Sequence, residues 1–107
     1  MLEIGCGHGV AADLICERLD GGHLTAIDRS AKMIAAAITR NARHIATDRA
    51  EFLLGAFEAL NLGTRRFDLI LAVRVRLFHV DPDRARALAG RWLAPGGRIV
   101  SVYDTPG

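Results

Sequence analysis

The sequence alternates short apolar runs with segments whose apolar residues recur at helical spacing, and this alternation constrains the fold most strongly. Strands are predicted at residues 2–4, 24–27, 52–54, 67–73 and 98–103. Short links between alternating strands and helices favour parallel neighbouring strands whose connecting helices cover both faces of the sheet. The sequence therefore predicts an α/β fold, a three-layer α-β-α sandwich around a mostly parallel five-stranded sheet.

Helices are expected between these strands. The first covers residues 10–19, the second follows a cap at Ser30, a short one covers residues 57–62, and the last runs from Asp81 to the Pro95-Gly96-Gly97 stop. Helical spacing predicts their buried faces, which are Val10, Ala11, Leu14, Ile15 and Leu19 in the first, Met33, Ile34, Ala37 and Ile38 in the second, and Leu88, Ala89, Trp92 and Leu93 in the last.

Composition and length fit a single globular domain over residues 1–107. The net charge of +2 gives no clear nucleic-acid signal. No apolar run approaches the ~20 residues that span a bilayer, and no signal peptide is visible, so we expect no membrane association and a cytoplasmic location. Cys6 and Cys16 are expected to be reduced thiols, and the four histidines lack metal-ligand spacing, so no metal is expected.

A glycine-rich turn follows the first predicted strand. Glycine at positions 5, 7 and 9 lets the backbone turn tightly and approach a ligand closely. The dinucleotide pattern GxGxxG would need glycine at position 10, where Val10 stands instead. A nicotinamide-dependent dehydrogenase shares the fold class, but Val10 and the carboxylate of Glu3 disfavour it.

Two carboxylates flank this turn. Glu3 lies two residues before Gly5, where a buried strand ordinarily has an apolar residue, and Asp28 ends the second strand. A carboxylate suits a cation better than a pyrophosphate, and S-adenosylmethionine carries a sulfonium and an ammonium group but no phosphate. An acid at the end of strand two can accept hydrogen bonds from ribose hydroxyls. Each carboxylate has an alternative to ligand binding. Glu3 is then a solvent-facing residue at the end of a strand, and Asp28 only caps the helix near Ser30.

Four segments resemble class I S-adenosylmethionine-dependent methyltransferases. EIGCGHG at residues 3–9 resembles the first motif of that family, and DRSAKM at residues 28–33 resembles its second-strand motif. FD at residues 67–68 and LAPGG at residues 93–97 are also similar to the family. The resemblance implies a Rossmann-like core with strand order 3-2-1-4-5, lacking the family's last two strands and the helix before strand one.

The resemblance also implies S-adenosylmethionine as cofactor, with the glycine loop against its methionine part and the strand-two acid on its ribose. The implied cofactor-binding residues are Glu3, Gly5, Cys6, Gly7, Gly9, Asp28, Arg29, Met33, Ala56, Phe57 and Val73. Family members often place an aspartate at the position of Ala56, so one adenine contact is missing unless Glu58 substitutes. Phe57 is a candidate to cover the adenine ring. Met33 either packs on adenine or is an ordinary core residue of its helix.

The expected function is methyl transfer from S-adenosylmethionine to a small-molecule acceptor. The alternative is a truncated or degenerate module that binds the cofactor or a partner without methyl transfer. His79, after strand four, is a weak candidate for a general base, and Arg74 and Arg76 are candidates to hold an anionic substrate. The open edge of strand five, residues 98–103, is expected to invite self-association.

Overall fold

The structure is a computed structural model that describes residues 1–19 and 21–102. Its strands are β1 (Leu2–Ile4), β2 (Leu24–Asp28), β3 (Ala50–Leu54), β4 (Phe67–Val73) and β5 (Leu93–Val102). They form one sheet in the order β3-β2-β1-β4-β5, and every neighbouring pair is parallel. The predicted fold class and strand order are confirmed.

The helices of this part of the chain are α1 (Val10–Arg18), α2 (Ala31–Arg40), α3 (Ala42–Ala46), α4 (Arg76–Val80) and α5 (Pro82–Gly90), with a 3-10 helix at Phe57–Ala59. Both predicted caps are present. The Ser30 hydroxyl accepts a hydrogen bond from the Met33 N–H at 3.3 Å, and the Asp81 carboxylate accepts one from the Arg84 N–H at 3.3 Å. None of the helices in residues 1–19 and 21–102 has the length and apolar character that crossing a membrane requires.

Alternating strand residues supply two buried clusters, one on each face of the sheet. On one face, α1 and α2 pack their Ala12, Cys16, Ile34 and Ala37 against β2 and β3. On the other face, α4 and α5 pack against β1 and β4, with Trp92 closing that cluster. Because both faces are covered by helices, the three-layer arrangement is confirmed.

Three predictions about buried faces are wrong. In α1 the residues facing the sheet are Ala12 and Cys16, while Val10 and Leu14 are 42% and 57% exposed. In α2, Ile38 is exposed because the sheet contacts Ile34 and Ala37 instead. Small side chains sit closest to the sheet in both helices, and periodicity alone does not distinguish them from a stripe of larger apolar residues.

The last helix also ends earlier than predicted. The α5 helix stops at Gly90, so Trp92 is buried after the helix and Leu93 already belongs to β5. Pro95-Gly96-Gly97 forms an irregularity inside β5, where the register with β4 shifts between Phe67 and Leu69. An insertion of this kind re-aims a strand without ending it. The predicted last residue of the strand, Tyr103, lies outside the described residues.

Candidate functional site

A cavity of about 650 Å³ opens at the carboxyl ends of β1, β2 and β4, beside the first turns of α1. This is the edge of an open parallel sheet where ligands bind, because the strand order reverses there. Nine of the predicted cofactor-binding residues line it, namely Glu3, Gly5, Cys6, Gly7, Asp28, Arg29, Met33, Phe57 and Val73. Gly9, Ala56 and the catalytic candidate His79 are not part of the lining.

The glycine turn forms the floor between β1 and α1. The N–H groups of Gly5 and Cys6 both donate to the Ile27 carbonyl, at 2.9 and 3.0 Å, which ties the turn to the end of β2. Gly5 has φ +79°, and a Cβ built on it would lie 2.9 Å from the Val73 carbonyl oxygen. Only glycine combines this left-handed backbone with so close an approach to β4.

Asp28 joins the end of β2 to this turn. Its Oδ2 accepts a hydrogen bond from the Gly7 N–H at 2.9 Å, and its Oδ1 accepts one from the Ser30 N–H at 2.9 Å. The carboxylate therefore orients the glycine turn and the start of α2 together. Each oxygen keeps a second lone pair, so the same carboxylate can also accept hydrogen bonds from a ligand in the cavity.

Glu3 is the most unusual group in the site. It is 1% exposed, and neither carboxylate oxygen has a hydrogen-bond partner among the described residues. Burial, with a smaller contribution from the nearby charge of Asp28, raises the pKa of the Glu3 carboxyl to about 7. The alternative of a solvent-facing Glu3 is wrong, since a buried carboxylate without partners lines the cavity.

The thiol of Cys6 shares this environment. Burial, followed by the charges of Glu3 and Asp28, raises the pKa of Cys6 to about 12, so the thiol stays protonated at neutral pH. Cys6 and Cys16 are both buried free thiols. Cys6 therefore contributes a small neutral wall to the cavity and no nucleophile.

Sequence reasoning missed the apolar side of the cavity. Val10 and Leu14, the two exposed large apolar residues of α1, line it together with Leu77 from α4. Their helical spacing with other apolar residues pointed to a core position, although a ligand-facing stripe produces the same spacing. The site thus combines an apolar wall with two convergent carboxylates, a composition typical of small-molecule cavities.

The candidate catalytic residue is not brought to the cavity. His79 lies in α4, one turn after Arg76, and it is exposed. In the described ranges no three His, Cys, Asp or Glu side chains are grouped so that they could hold a metal ion.

The chain is similar to several known proteins. A family model described as methyltransferase domain matches residues 1–97. An uncharacterised protein of Synechococcus sp. is 38% identical over 96% of this chain and 25% of its own length. The malonyl-[acyl-carrier protein] O-methyltransferase of Priestia megaterium is 35% identical over 67% of this chain and 24% of its own length. The chain spans about a quarter of the length of these curated relatives.

One solved structure extends the range of activities found on this fold. The [4+2]-cyclase SpnF superposes with a TM-score of 0.78 at 28% identity, covering 92% of this chain and 36% of that one.

Proposed function

Since the chain belongs to the class I S-adenosylmethionine-dependent methyltransferase family, we propose that it binds S-adenosylmethionine and serves methyl transfer to a small-molecule acceptor. The observation that carries this proposal is the buried, unpartnered carboxyl of Glu3 beside the glycine turn. A buried charge needs a partner of opposite sign, and S-adenosylmethionine supplies two cationic groups. The curated methyltransferase relative supports the reaction type.

Each residue has a distinct part in this proposal. When bound, S-adenosylmethionine supplies an electrophilic methyl group for in-line displacement. Asp28 accepts hydrogen bonds from the ribose hydroxyls, and Phe57, with Met33, provides apolar cover for the adenine. The cavity walls hold donor and acceptor in line and exclude water, which is where most of the rate enhancement of such a transfer originates. No general base is required for an acceptor that is already deprotonated.

The segment after β3 bears on the proposed adenine contact. Ala56 lies outside the cavity lining, whereas its neighbours Gly55, Phe57 and Glu58 line it. We infer that Glu58, which is exposed, replaces the aspartate that family members often place here. If Glu58 did not make this contact, the loss of one such hydrogen bond would cost about 0.5–1.5 kcal/mol, which lowers affinity without abolishing binding.

A second candidate function is cofactor or partner binding without methyl transfer. The likeness to a [4+2]-cyclase favours it, because that protein carries a different activity on the same fold. Incubation with methyl-labelled S-adenosylmethionine and pooled small metabolites distinguishes the two. Label in a product supports methyl transfer, whereas binding with no labelled product supports this second function.

Replacement of Asp28 with asparagine tests the proposed cofactor site. The amide leaves only one oxygen to accept hydrogen bonds, so we expect S-adenosylmethionine affinity to fall roughly ten- to hundredfold. Calorimetric titration measures this loss. Asp83→Asn, on the exposed first turn of α5 and outside the cavity, is the matched control and should bind as the native chain does. Equal affinity of the Asp28 variant and the native chain would contradict the proposal.

Self-association through β5 stays a prediction. β5 is the last strand of the described sheet, and its Val100 and Val102 are 40% and 42% exposed. An edge strand with exposed apolar residues favours pairing with a second copy. Sedimentation velocity is expected to show a concentration-dependent dimer that Val100→Lys disrupts. A monomer at all concentrations would contradict this expectation.

We also propose a cytoplasmic location. The two buried free thiols, Cys6 and Cys16, support a reducing compartment, since they are not joined in a disulfide. Fractionation of cells that express the tagged full-length protein tests this, and recovery in an oxidising compartment would contradict it.

A further inference from the structure

The charged face of α1 is turned away from the cavity. The Asp13 carboxylate accepts a hydrogen bond from Arg43 at 3.1 Å and lies 2.7 Å from Nε2 of the buried His44. Glu17 also pairs with Arg43. Since Arg43 and His44 belong to α3, this face of α1 packs against α3, and these charged residues are not part of the cavity lining.

The face of α1 toward the cavity is apolar although it is accessible. Val10 and Leu14 lie one helical turn apart and are 42% and 57% exposed, and together with Ala11 they form what we call the α1 wall of the cavity. A helix face that borders only water ordinarily carries polar residues. An accessible apolar stripe inside a cavity therefore indicates a ligand with apolar surface, whose binding removes the stripe from water.

A second apolar wall lies at the end of β4 and the start of α4. Val73, Val75 and Leu77 line the cavity at alternate positions, and we call them the β4 wall, while the intervening Arg74 and Arg76 are exposed. Because α1 and α4 cover opposite faces of the sheet, the cavity is a cleft between these two walls. A cleft of about 650 Å³ that is bounded from two sides has the size of a small-molecule site.

The β4 wall adjoins the glycine turn. A Cβ built on Gly5 would lie 3.0 Å from Cγ2 of Val75, so the valine side chain is next to the turn. Phe57 stacks on Phe78 of α4 with the ring centroids 5.6 Å apart, which holds α4 and its Leu77 beside the cavity. A molecule between the two walls is therefore next to the methionine part of the donor, which the proposed function places at the glycine turn.

We propose that the methyl acceptor has an apolar body, aliphatic or aromatic, that binds between the α1 wall and the β4 wall. This inference rests on the proposed function and names the substrate class of the same site. Val10 and Leu14 contact the acceptor from one side, and Val75 and Leu77 contact it from the other. Apolar contacts are not directional, so they select the acceptor by its apolar surface and leave its reacting atom at the end next to the glycine turn.

Titration with straight-chain alcohols tests this inference. Hexan-1-ol, heptan-1-ol and octan-1-ol are added to the native chain with and without saturating S-adenosylhomocysteine, and the methyl signals of Val10, Leu14 and Leu77 are followed by NMR. We expect saturable shifts and an affinity that rises about three- to fourfold with each added methylene. Sorbitol, which has the carbon number of hexan-1-ol but no apolar surface, should cause none. No saturable shift with any alcohol, or an affinity independent of chain length, would overturn the inference.

Two pairs of substitutions locate the binding, with the Leu77 signals as the common reporter. Val10→Thr/Leu14→Gln changes only accessible side chains and is expected to weaken octan-1-ol binding at least about tenfold. The control Ile38→Gln/Val80→Gln replaces apolar side chains that are 43% and 58% exposed but lie outside the cavity lining, and it should bind octan-1-ol as the native chain does. Equal affinity of the two variants would overturn the inference.

The donor and a second copy of the chain are the competing occupants of the α1 wall. Displacement of octan-1-ol by S-adenosylhomocysteine, or weaker binding of S-adenosylhomocysteine to the Val10/Leu14 variant, would assign this wall to the donor and overturn the inference. A dimer in sedimentation velocity that this variant dissociates would assign the wall to a second copy, with the same consequence. We expect neither result. Failure of the native chain to bind S-adenosylhomocysteine would instead contradict the proposed function, while the alcohol titration without it still reports on the two walls.

Discussion

Replacing Glu3 with glutamine is expected to stabilise the ligand-free protein above pH 7 by about 2–3 kcal/mol while weakening S-adenosylmethionine binding at least about tenfold. Burial raises the pKa of the folded-state carboxyl from 4.5 to about 7, so the folded protein holds a proton that the unfolded chain has lost. Between these two pH values the stability of the native chain falls as pH rises. Glutamine has no charge to bury, so the stability advantage of the variant grows as pH rises through this range and is fully present above pH 7.

The effect on binding has the opposite sign. A donor cation favours the ionised form of Glu3, so the affinity of the native chain should rise as pH increases through about 7. The glutamine variant offers no charge, and its affinity should be weak and should not depend on ionisation at this position. Urea unfolding and calorimetric titration, each at pH 5 and pH 8, measure both effects.

Glu51→Gln is the matched control for Glu3. Glu51 lies on β3, where its Oε1 pairs with Arg65 at 2.6 Å and accepts a hydrogen bond from Thr25 at 2.9 Å. Although burial acts in the other direction, these hydrogen bonds lower the pKa of Glu51. Its replacement should therefore destabilise the protein above pH 5 and leave cofactor affinity unchanged. A Glu3 variant that loses stability at pH 8 and retains native affinity would refute the role assigned to Glu3.

Gly9→Ala is expected to destabilise the fold by about 3–5 kcal/mol and to lower the melting temperature by roughly 10–20 °C. Gly9 has φ +85°, and a Cβ there would lie 2.6 Å from the Asn41 side-chain nitrogen and 3.0 Å from Ala37. The Asn41 amide is buried and donates to the carbonyls of Gly9 and Ala37, at 3.1 and 2.9 Å. The added methyl group displaces Asn41 and breaks both hydrogen bonds.

Gly63→Ala separates this clash from backbone strain. Gly63 has φ +65°, but nothing lies within 4 Å of a Cβ built there. Its replacement carries only the cost of a left-handed alanine, about 1–2 kcal/mol. Thermal unfolding followed by circular dichroism compares the two variants. If both lose the same stability, Asn41 and Ala37 do not constrain the glycine turn.

The sequence was sufficient to predict many of the residues that line the cavity, because two of the central strands are bounded by clear signals. β1 and β4 have the predicted bounds, since apolar runs end at Gly5 and at the polar Arg74. In a parallel sheet the carboxyl ends of neighbouring strands lie at the same edge, so Glu3, the glycine turn and Asp28 come together there. The identity of these residues then indicated a cationic, sugar-bearing ligand.

Features that depend on packing could not be predicted in this way. Val10 and Leu14 were expected in the core, yet they line the cavity, because the small Ala12 and Cys16 allow α1 to approach the sheet closely. α3 and α4 are five residues each, too short for apolar periodicity to reveal them. The contact of Asn41 with Gly9 joins residues 32 positions apart, and no local pattern encodes it.

A crystal structure of the chain with S-adenosylmethionine bound tests the central claim most directly. We predict that the ribose hydroxyls lie within hydrogen-bond distance of the Asp28 carboxylate and that the cationic methionine part lies over the glycine turn, next to Glu3. Donor density elsewhere on the protein, or both carboxylates turned away from the bound donor, would contradict this prediction.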